Sequence, residues 1–467
     1  MILHWNTNTS CWRNYRAFGK LLFSPQFFGK TVITQNGLPL LLRLIYGFLK
    51  VLVRTALRLY HPRTYIQNPE RLRFAGPAIV VSNHPNTLID ALQVASRVRN
   101  QVFFLANSSL FKGAFNKWFF NTFYCIPIDR PQDTNGRPLN NTASFERCDQ
   151  FLSGGGTLYI APEGSSYRMR RLRPVKSGTA RIALSAEQKN DFRLGMQIIP
   201  FGLEYEAPAR FRSRFIMRIG PPIMADQYEG LFKSDPVGAW RQVTADLEAA
   251  MQALVAHTRN EEEDIFLRLL EMKRRAETPS SEDRHFEWLQ IQIQTLHQLE
   301  TQDPEAYQKL LATSGALAGQ LHRAGADWSD VFLLQAPKNA FLTTRAAWVL
   351  LLPLWLPGYV LHWPILAIPD WLSKKLKLSI EYKSTVQIVA GLLTFPLFYA
   401  IWMWIFHTQL APNGWWTLLF TAGMIFSGRL AWWAHASFRR WRLRRHPDLG
   451  AGFREAVNGL AKNFNLS

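Results

Sequence analysis

Cysteine is scarce: Cys11, Cys125 and Cys148 are the only three in 467 residues. They are too few and too scattered for a disulfide framework or a zinc site, so a reducing compartment is the simpler reading. Negative charge is also short. Asp and Glu number 34 against 54 Lys and Arg, a formal charge of +20 at pH 7. That balance asks for an anionic partner: nucleic acid, an anionic membrane surface, or an acidic substrate or carrier. Charged residues of all kinds make up only 19% of the chain and hydrophobic ones 48%, which excludes intrinsic disorder. Arg13 and Arg16 are followed by no clean apolar run with a small-residue cleavage site, so no secretory signal is read. Residues 1–36 read as an extension without clear structure, and the catalytic part of the chain is expected to stay unexported. The run Gly154-Gly155-Gly156 lacks the Lys-Ser/Thr of a phosphate loop, and no Gly-x-Ser-x-Gly elbow occurs. His61, His285 and His297 have no metal-ligand spacing.

Aromatic residues, by contrast, are plentiful. There are 17 Trp and 32 Phe, and Trp gathers at lipid interfaces. Residues 37–60 predict an interfacial amphipathic helix. Arg43, Lys50, Arg54 and Arg58 fall within roughly 80° on a helical wheel, giving a basic face for headgroups and an apolar face inward. Residues 61–225 alternate short apolar runs with helical stretches. Strands are expected at 78–82, 102–106, 124–128, 157–161, 197–201 and 215–219, with helices at 143–152 and 177–187. The fold class this implies is α/β. Residues 226–340 predict a soluble helical appendage, in which the acidic run 261–264 reads as a solvated face.

Residues 341–438 predict membrane-embedded segments. The runs 385–406 and 415–438 are long enough to span a bilayer. The run 346–368 is broken by Pro353, Pro357 and Pro364 and reads as re-entrant or interfacial. Lys374, Lys375, Lys377 and Lys383 precede the pair, and Arg439, Arg440, Arg442, Arg444 and Arg445 come after it. The positive-inside rule puts both clusters, and the tail 439–467, in the cytoplasm. Because this basicity flanks apolar segments, anionic lipid explains the charge better than nucleic acid does.

A strand at 78–82 delivers Asn83 and His84, with Asp90 following after five residues. An imidazole can take a proton from an alcohol near neutral pH, and a carboxylate can hold the ring and stabilise the cation formed. Pro85 suits the first position of a helix, which would put His84 at a helix N-terminus. Such a pair alone is common. Three further blocks come after it in order: Ile126-Pro127-Ile128-Asp129-Arg130, then Ala161-Pro162-Glu163-Gly164-Ser165-Ser166 with Pro174-Val175-Lys176-Ser177-Gly178, then Ile198-Ile199-Pro200-Phe201-Gly202. Together they resemble the four blocks of the glycerophospholipid acyltransferases, over about residues 60–225. The family usually has four residues between His and Asp and Thr-Arg after Pro-Glu-Gly. The five-residue spacing and Ser165-Ser166 resemble instead the yeast-type glycerol-3-phosphate acyltransferase branch.

The resemblance implies a mixed sheet with surrounding helices, and a membrane-bound enzyme on the cytoplasmic face that makes lysophosphatidate. It implies His84 and Asp90 as catalytic residues, and Asn83, Arg130, Glu163, Gly164, Ser165 and Lys176 as acceptor-binding residues. Arg130 is the candidate for bidentate phosphate binding. Lys176 and the cluster Arg168, Arg170, Arg171 and Arg173 stand behind it. The co-substrate would be acyl-CoA or acyl-carrier protein, with no cofactor and no metal. Lysophosphatidate as acceptor is the alternative within the class. A silent lipid-binding protein is the alternative outside it.

Overall fold

The computed structural model describes residues 40–114, 120, 125–129, 141–278, 280–326, 346–376, 378–410, 413–449 and 451–463. Its centre is a mixed sheet. The strands are β1 (Arg63–Gln67), β2 (Ala78–Ser82), β3 (Val102–Asn107), β4 (Cys125–Ile128), β5 (Thr157–Ile160), β6 (Gln197–Tyr205), β7 (Arg214–Ile219) and β8 (Ile223–Met224). Their spatial order is β1-β7-β6-β2-β5-β3-β4, with β8 beside β6. β6, β2, β5, β3 and β4 run parallel, so their C-terminal ends share one edge. β7 is antiparallel to β6 and parallel to β1. β2 is buried along its whole length, as a central strand covered on both faces must be.

The even and odd residues of β2 serve different cores. Ile79 and Val81 face helices α3 (Thr142–Ser153), α4 (Gly178–Gln188) and α6 (Pro236–Gln252). Ala78 and Val80 face α1 (Leu40–Tyr60) and α2 (Leu88–Ala95). Between α4 and α6 lies the short helix α5 (Glu229–Ser234). Ala239, Val243, Leu247 and Met251 of α6 are buried in the first core, so the α/β unit extends past residue 225.

Helix α1 forms as expected, but its faces are arranged differently. Leu42, Leu57 and Tyr60 are buried against the domain, while Leu41, Leu44, Phe48, Leu52 and Leu59 point outward. Lys50 turns to the domain and donates to the carbonyls of Val98 and Arg99. An aliphatic stem with a charged tip can serve both surroundings.

Helices α7 (Glu261–Glu277), α8 (Glu282–Gln302) and α9 (Pro304–Arg323) build a third core. Phe453, Val457 and Leu460 of the last helix join it, so part of the 439–467 segment packs against the appendage. The acidic run 261–264 is solvated only in its first half: Glu261 and Glu262 are exposed, Glu263 and Asp264 buried. Glu263 is fully buried, accepting from Tyr307 Oη at 2.9 Å and from the Arg259 N–H at 2.7 Å.

Three apolar helices come next: α10 (Leu352–Lys375), α11 (Lys383–Gln409) and α12 (Gly414–Arg444). The final helix, α13, is Ala451–Asn463. Residues Ile380–Gln409 are long and apolar enough to cross a membrane, with a mean hydropathy of 1.9, and only 17% of their most apolar window is buried. α10 is helical throughout, with Pro357, Pro364 and Pro369 inside it. Its contacts nevertheless run along the α11–α12 hairpin and back. Just before it, Trp348 stacks on Phe438, and towards its C-terminal end Asp370 pairs with Lys383 at 3.7 Å; these partners are the last part of α12 and the first residue of α11. Between them, His362 bonds Tyr399 Oη at 2.8 Å and Leu361 accepts from Trp402 Nε1 at 3.2 Å, in the second half of α11.

Candidate active site

The parallel strands bring their C-terminal ends to one edge, the usual place for a site in an open α/β sheet. β2 delivers Asn83 and His84 there, β5 beside it delivers residues 161–165, and β6 on the other side delivers Leu203 and Tyr205. Asn83 is fixed by a reciprocal pair of bonds. Its Nδ2 donates to Leu203 O at 2.9 Å, and its Oδ1 accepts from the Leu203 N–H at 2.7 Å. That is a backbone brace, not an open ligand group.

His84 and Asp90 do meet: Nδ1 lies 3.1 Å from Oδ2. Asp90 is fully buried, and its two oxygens also accept from the Asn86 N–H at 2.6 Å and from Tyr205 Oη at 2.7 Å. Burial pushes the carboxyl up, and the bonds from His84, Tyr205 and Asn86 hold the anion against it. With Nδ1 turned to Asp90, Nε2 is left to accept a proton. The His84 side chain keeps 19% of its surface exposed, enough for access by a ligand.

The helix does not begin at Pro85. Helix α2 starts at Leu88, and its cap residue Thr87 has φ 47°, in the left-handed half of backbone space. A β-branched residue there is strained, at roughly 1–3 kcal/mol. That turn takes up the fifth residue of the His84–Asp90 spacing and still lets the carboxylate reach the ring.

Glu163 turns back towards the chain. Its Oε1 accepts from the His84 N–H at 2.9 Å and its Oε2 from the Arg173 N–H at 3.2 Å. Burial raises its pKa to about 7, against those two bonds. Gly164 has φ +76°, a backbone conformation that favours glycine, and it lies against the mobile tip of Lys176. Its N–H is engaged with Ala161 O at 3.1 Å. Ser165 Oγ accepts from Arg173 Nη1 at 2.5 Å. Lys176 is exposed beside Gly164, and Arg173, also exposed, reaches Ser165 of the same turn.

The arginine cluster divides. Arg170 is turned into carboxylates, donating to Asp264 at 2.6 Å and to Glu271. Arg168 and Arg171 line a small cavity with Asn83, Pro85 and Tyr205, which Arg170 also borders. Arg130 lies outside the described residues. Its neighbour Asp129 is held through its backbone by the Asn141 amide, at 2.8 and 2.9 Å. Burial pushes the Cys125 thiol up to about 12, which fits a structural thiol. Among the described residues, no three His, Cys, Asp or Glu are grouped for a metal ion.

Two partners of Asp90 were not foreseen from the sequence. Tyr205 lies three residues beyond the fourth block, at the end of the strand that block opens. The Asn86 N–H sits between His84 and Asp90, but only the turn geometry reveals it as a donor.

Residues 63–204 match the family model described as Acyltransferase. Glycerol-3-phosphate O-acyltransferase 2 of Saccharomyces cerevisiae is 34% identical over 99 residues, 21% of this chain and 13% of that protein. Glycerol-3-phosphate O-acyltransferase 1 of the same yeast is 32% identical over 85 residues, 18% of this chain and 11% of that protein. The matched segment therefore spans a small part of either relative. Among solved structures, a 1-acyl-sn-glycerophosphate acyltransferase from Thermotoga maritima aligns with a TM-score of 0.34 and 13% identity, over 52% of this chain and 87% of that one.

Proposed function

We propose that residues 63–204, which match the Acyltransferase family model, form the catalytic domain of an enzyme that transfers a fatty acyl group from an acyl thioester to glycerol 3-phosphate, giving lysophosphatidate. The observation that carries the reading is the His84–Asp90 pair, with Tyr205 and the Asn86 N–H completing the carboxylate's shell. Nε2 of His84 takes the proton of the acceptor hydroxyl, and Asp90 holds the ring and offsets the imidazolium charge. The alkoxide attacks the thioester carbonyl to give a tetrahedral oxyanion. The C–S bond then breaks, and the thiolate leaves with the proton that His84 holds. Acyl-CoA or acyl-carrier protein is a co-substrate here, and the chemistry calls for no cofactor. Lys176 and Arg130 are the cations we assign to the acceptor phosphate. Glu163, as a brace for the His84 backbone, acts in positioning.

Glycerol 3-phosphate is preferred over lysophosphatidate because the five-residue His84–Asp90 spacing and Ser165-Ser166 are shared with the yeast-type pattern. The names of both yeast relatives agree. We further propose an integral membrane protein whose catalytic domain faces the cytoplasm. The outward apolar face of α1 and the exposed Leu393, Leu397, Trp404, Leu418 and Phe426 of the hairpin support a lipid surround. Lys374 and Lys383 both pair with Asp370 beside the start of α11, the end that meets the catalytic turn, where anionic headgroups would meet them.

The test is acyl transfer by the solubilised full chain, with glycerol 3-phosphate and lysophosphatidate offered in parallel and palmitoyl-CoA or acyl-carrier protein as donor. His84→Ala should lower kcat by roughly 10²–10⁴-fold. A folded His84→Ala protein as active as wild type would sink the reading. Faster acylation of lysophosphatidate would move the assignment to phosphatidate synthesis.

A further inference from the structure

The catalytic turn is not finished by the catalytic domain. Asn86 and Thr87 are both buried, and the groups that bond their side chains come from the start of α11 and the residues just before it. Thr87 Oγ1 lies 2.9 Å from Thr385 Oγ1 and donates to Glu381 O at 3.2 Å. Ser384, itself fully buried, donates to Asn86 Oδ1. Two further contacts seat the same helix end. Tyr60 Oη donates to Gln387 Oε1 at 2.5 Å, and Ile388 is buried in the core that holds Ile89 and Tyr60.

These contacts fall at a strained point of the domain. Thr87 holds a positive φ, which persists only when the surroundings over-determine it. The Asn86 N–H is a direct ligand of Asp90 Oδ2, so any shift of this turn moves the carboxylate that orients His84. We propose that Ser384 and Thr385, at the base of the apolar hairpin, are positioning residues for the catalytic pair. They clamp the strained 86–87 turn and thereby tie the rate of acyl transfer to the seating of the hairpin. The inference rests on His84 acting as the base. It adds that catalysis needs hydroxyls from the last third of the chain.

The experiment compares wild type, His84→Ala, Thr385→Val, Thr385→Ser and the double variant Ser384→Ala/Thr385→Val, all as full chains in detergent with glycerol 3-phosphate and palmitoyl-CoA. Valine keeps the shape of threonine and removes the hydroxyl; serine does the reverse. The double variant should lose roughly 10–100-fold in kcat, the scale set by sub-ångström to ångström misplacement, with little change in either KM. Thr385→Ser should keep wild-type kcat. A double variant with wild-type kcat, or a Thr385→Ser protein as impaired as Thr385→Val, would overturn the clamp while leaving the His84 reading intact. Activity retained by His84→Ala would remove the base assignment itself, and the clamp with it. Should the double variant fold poorly, the single pair Thr385→Val and Thr385→Ser decides the matter alone.

Discussion

Glu204 and Tyr205 are neighbours on β6, and strand alternation turns them to opposite faces of the sheet. Tyr205 meets Asp90, whose ligands are a hydroxyl, a backbone N–H and an imidazole. Glu204 meets arginines: Arg218 at 2.9 Å and Arg170 at 3.9 Å, in a buried network that continues through Asp264, Glu271 and His285 to the helical appendage. Burial pushes every one of these carboxyls up. For Glu271, Arg170, His285 and Arg275 more than reverse it and hold the group well below the usual range. For Asp90 no guanidinium does so, and the group stays raised. One side is locked as permanent ions. The other is held by neutral donors and by one ring that can take up charge, so it can answer a change of charge on His84. Burial alone does not separate structure from chemistry; the kind of partner does.

The contrast can be broken from either side. The largest effect belongs to Asp90→Asn, which keeps the shape but loses the anion: kcat should fall roughly 10²–10⁴-fold in the acyl-transfer assay, with little loss of thermal stability. Arg170→Met should do the opposite. Leaving Asp264, Glu271 and Glu204 short of a cation should cost about 3–5 kcal/mol in denaturant unfolding, while the folded fraction retains wild-type kcat. Were Arg170→Met to lose kcat with stability intact, the two sides would not be separate.

Glu163 lies on the responsive side, and its titration sharpens the point. Its pKa is raised from 4.5 to about 7, so the native state binds the extra proton in that interval. Its share of stability is therefore present at acid pH, declines by roughly 2–3 kcal/mol as pH climbs towards 7, and levels off above. Glu163→Gln should remove that slope, read as the pH dependence of the difference in unfolding free energy between wild type and variant. The smallest effect is expected from Tyr205→Phe, which deletes one of three donors to Asp90: about tenfold in kcat, with a fold otherwise unchanged by circular dichroism.

Much of the α/β unit was legible because its strands are continuous apolar runs. The run Ala78–Ser82 was bounded correctly, since a strand buried on both faces leaves no polar alternation to confuse. β1 was not legible. Its sequence Arg-Thr-Tyr-Ile-Gln is half-buried at the sheet edge and pairs with β7, which lies far along the chain. His84, Asp90, Glu163 and Lys176 were found by type and order. Their geometry was not, because Asn83 and Glu163 serve backbone groups, which no spacing announces. Arg170 reads as a candidate phosphate ligand, and Asp264 as part of a solvated acidic run. What hid their burial is that each supplies the other's counter-ion across about a hundred residues. The apolar C-terminal runs were plain from composition, but their contact with the catalytic turn depends on three hydroxyls among many.

That contact joins residues far apart in time as well as in space. Asn86 and Ser384 are 298 positions apart, so at roughly 5–20 residues per second a ribosome needs on the order of 15–60 s to supply the second after the first. During that interval the sheet can form, since all its strands have already emerged by residue 224. A chain at that stage would have a folded domain with its turn untied. It would gain full activity only once the hairpin had been made and seated. On the proposed reading of the hairpin as a membrane anchor, maturation would carry its own delay, with acyl transfer withheld until the hairpin has entered the bilayer.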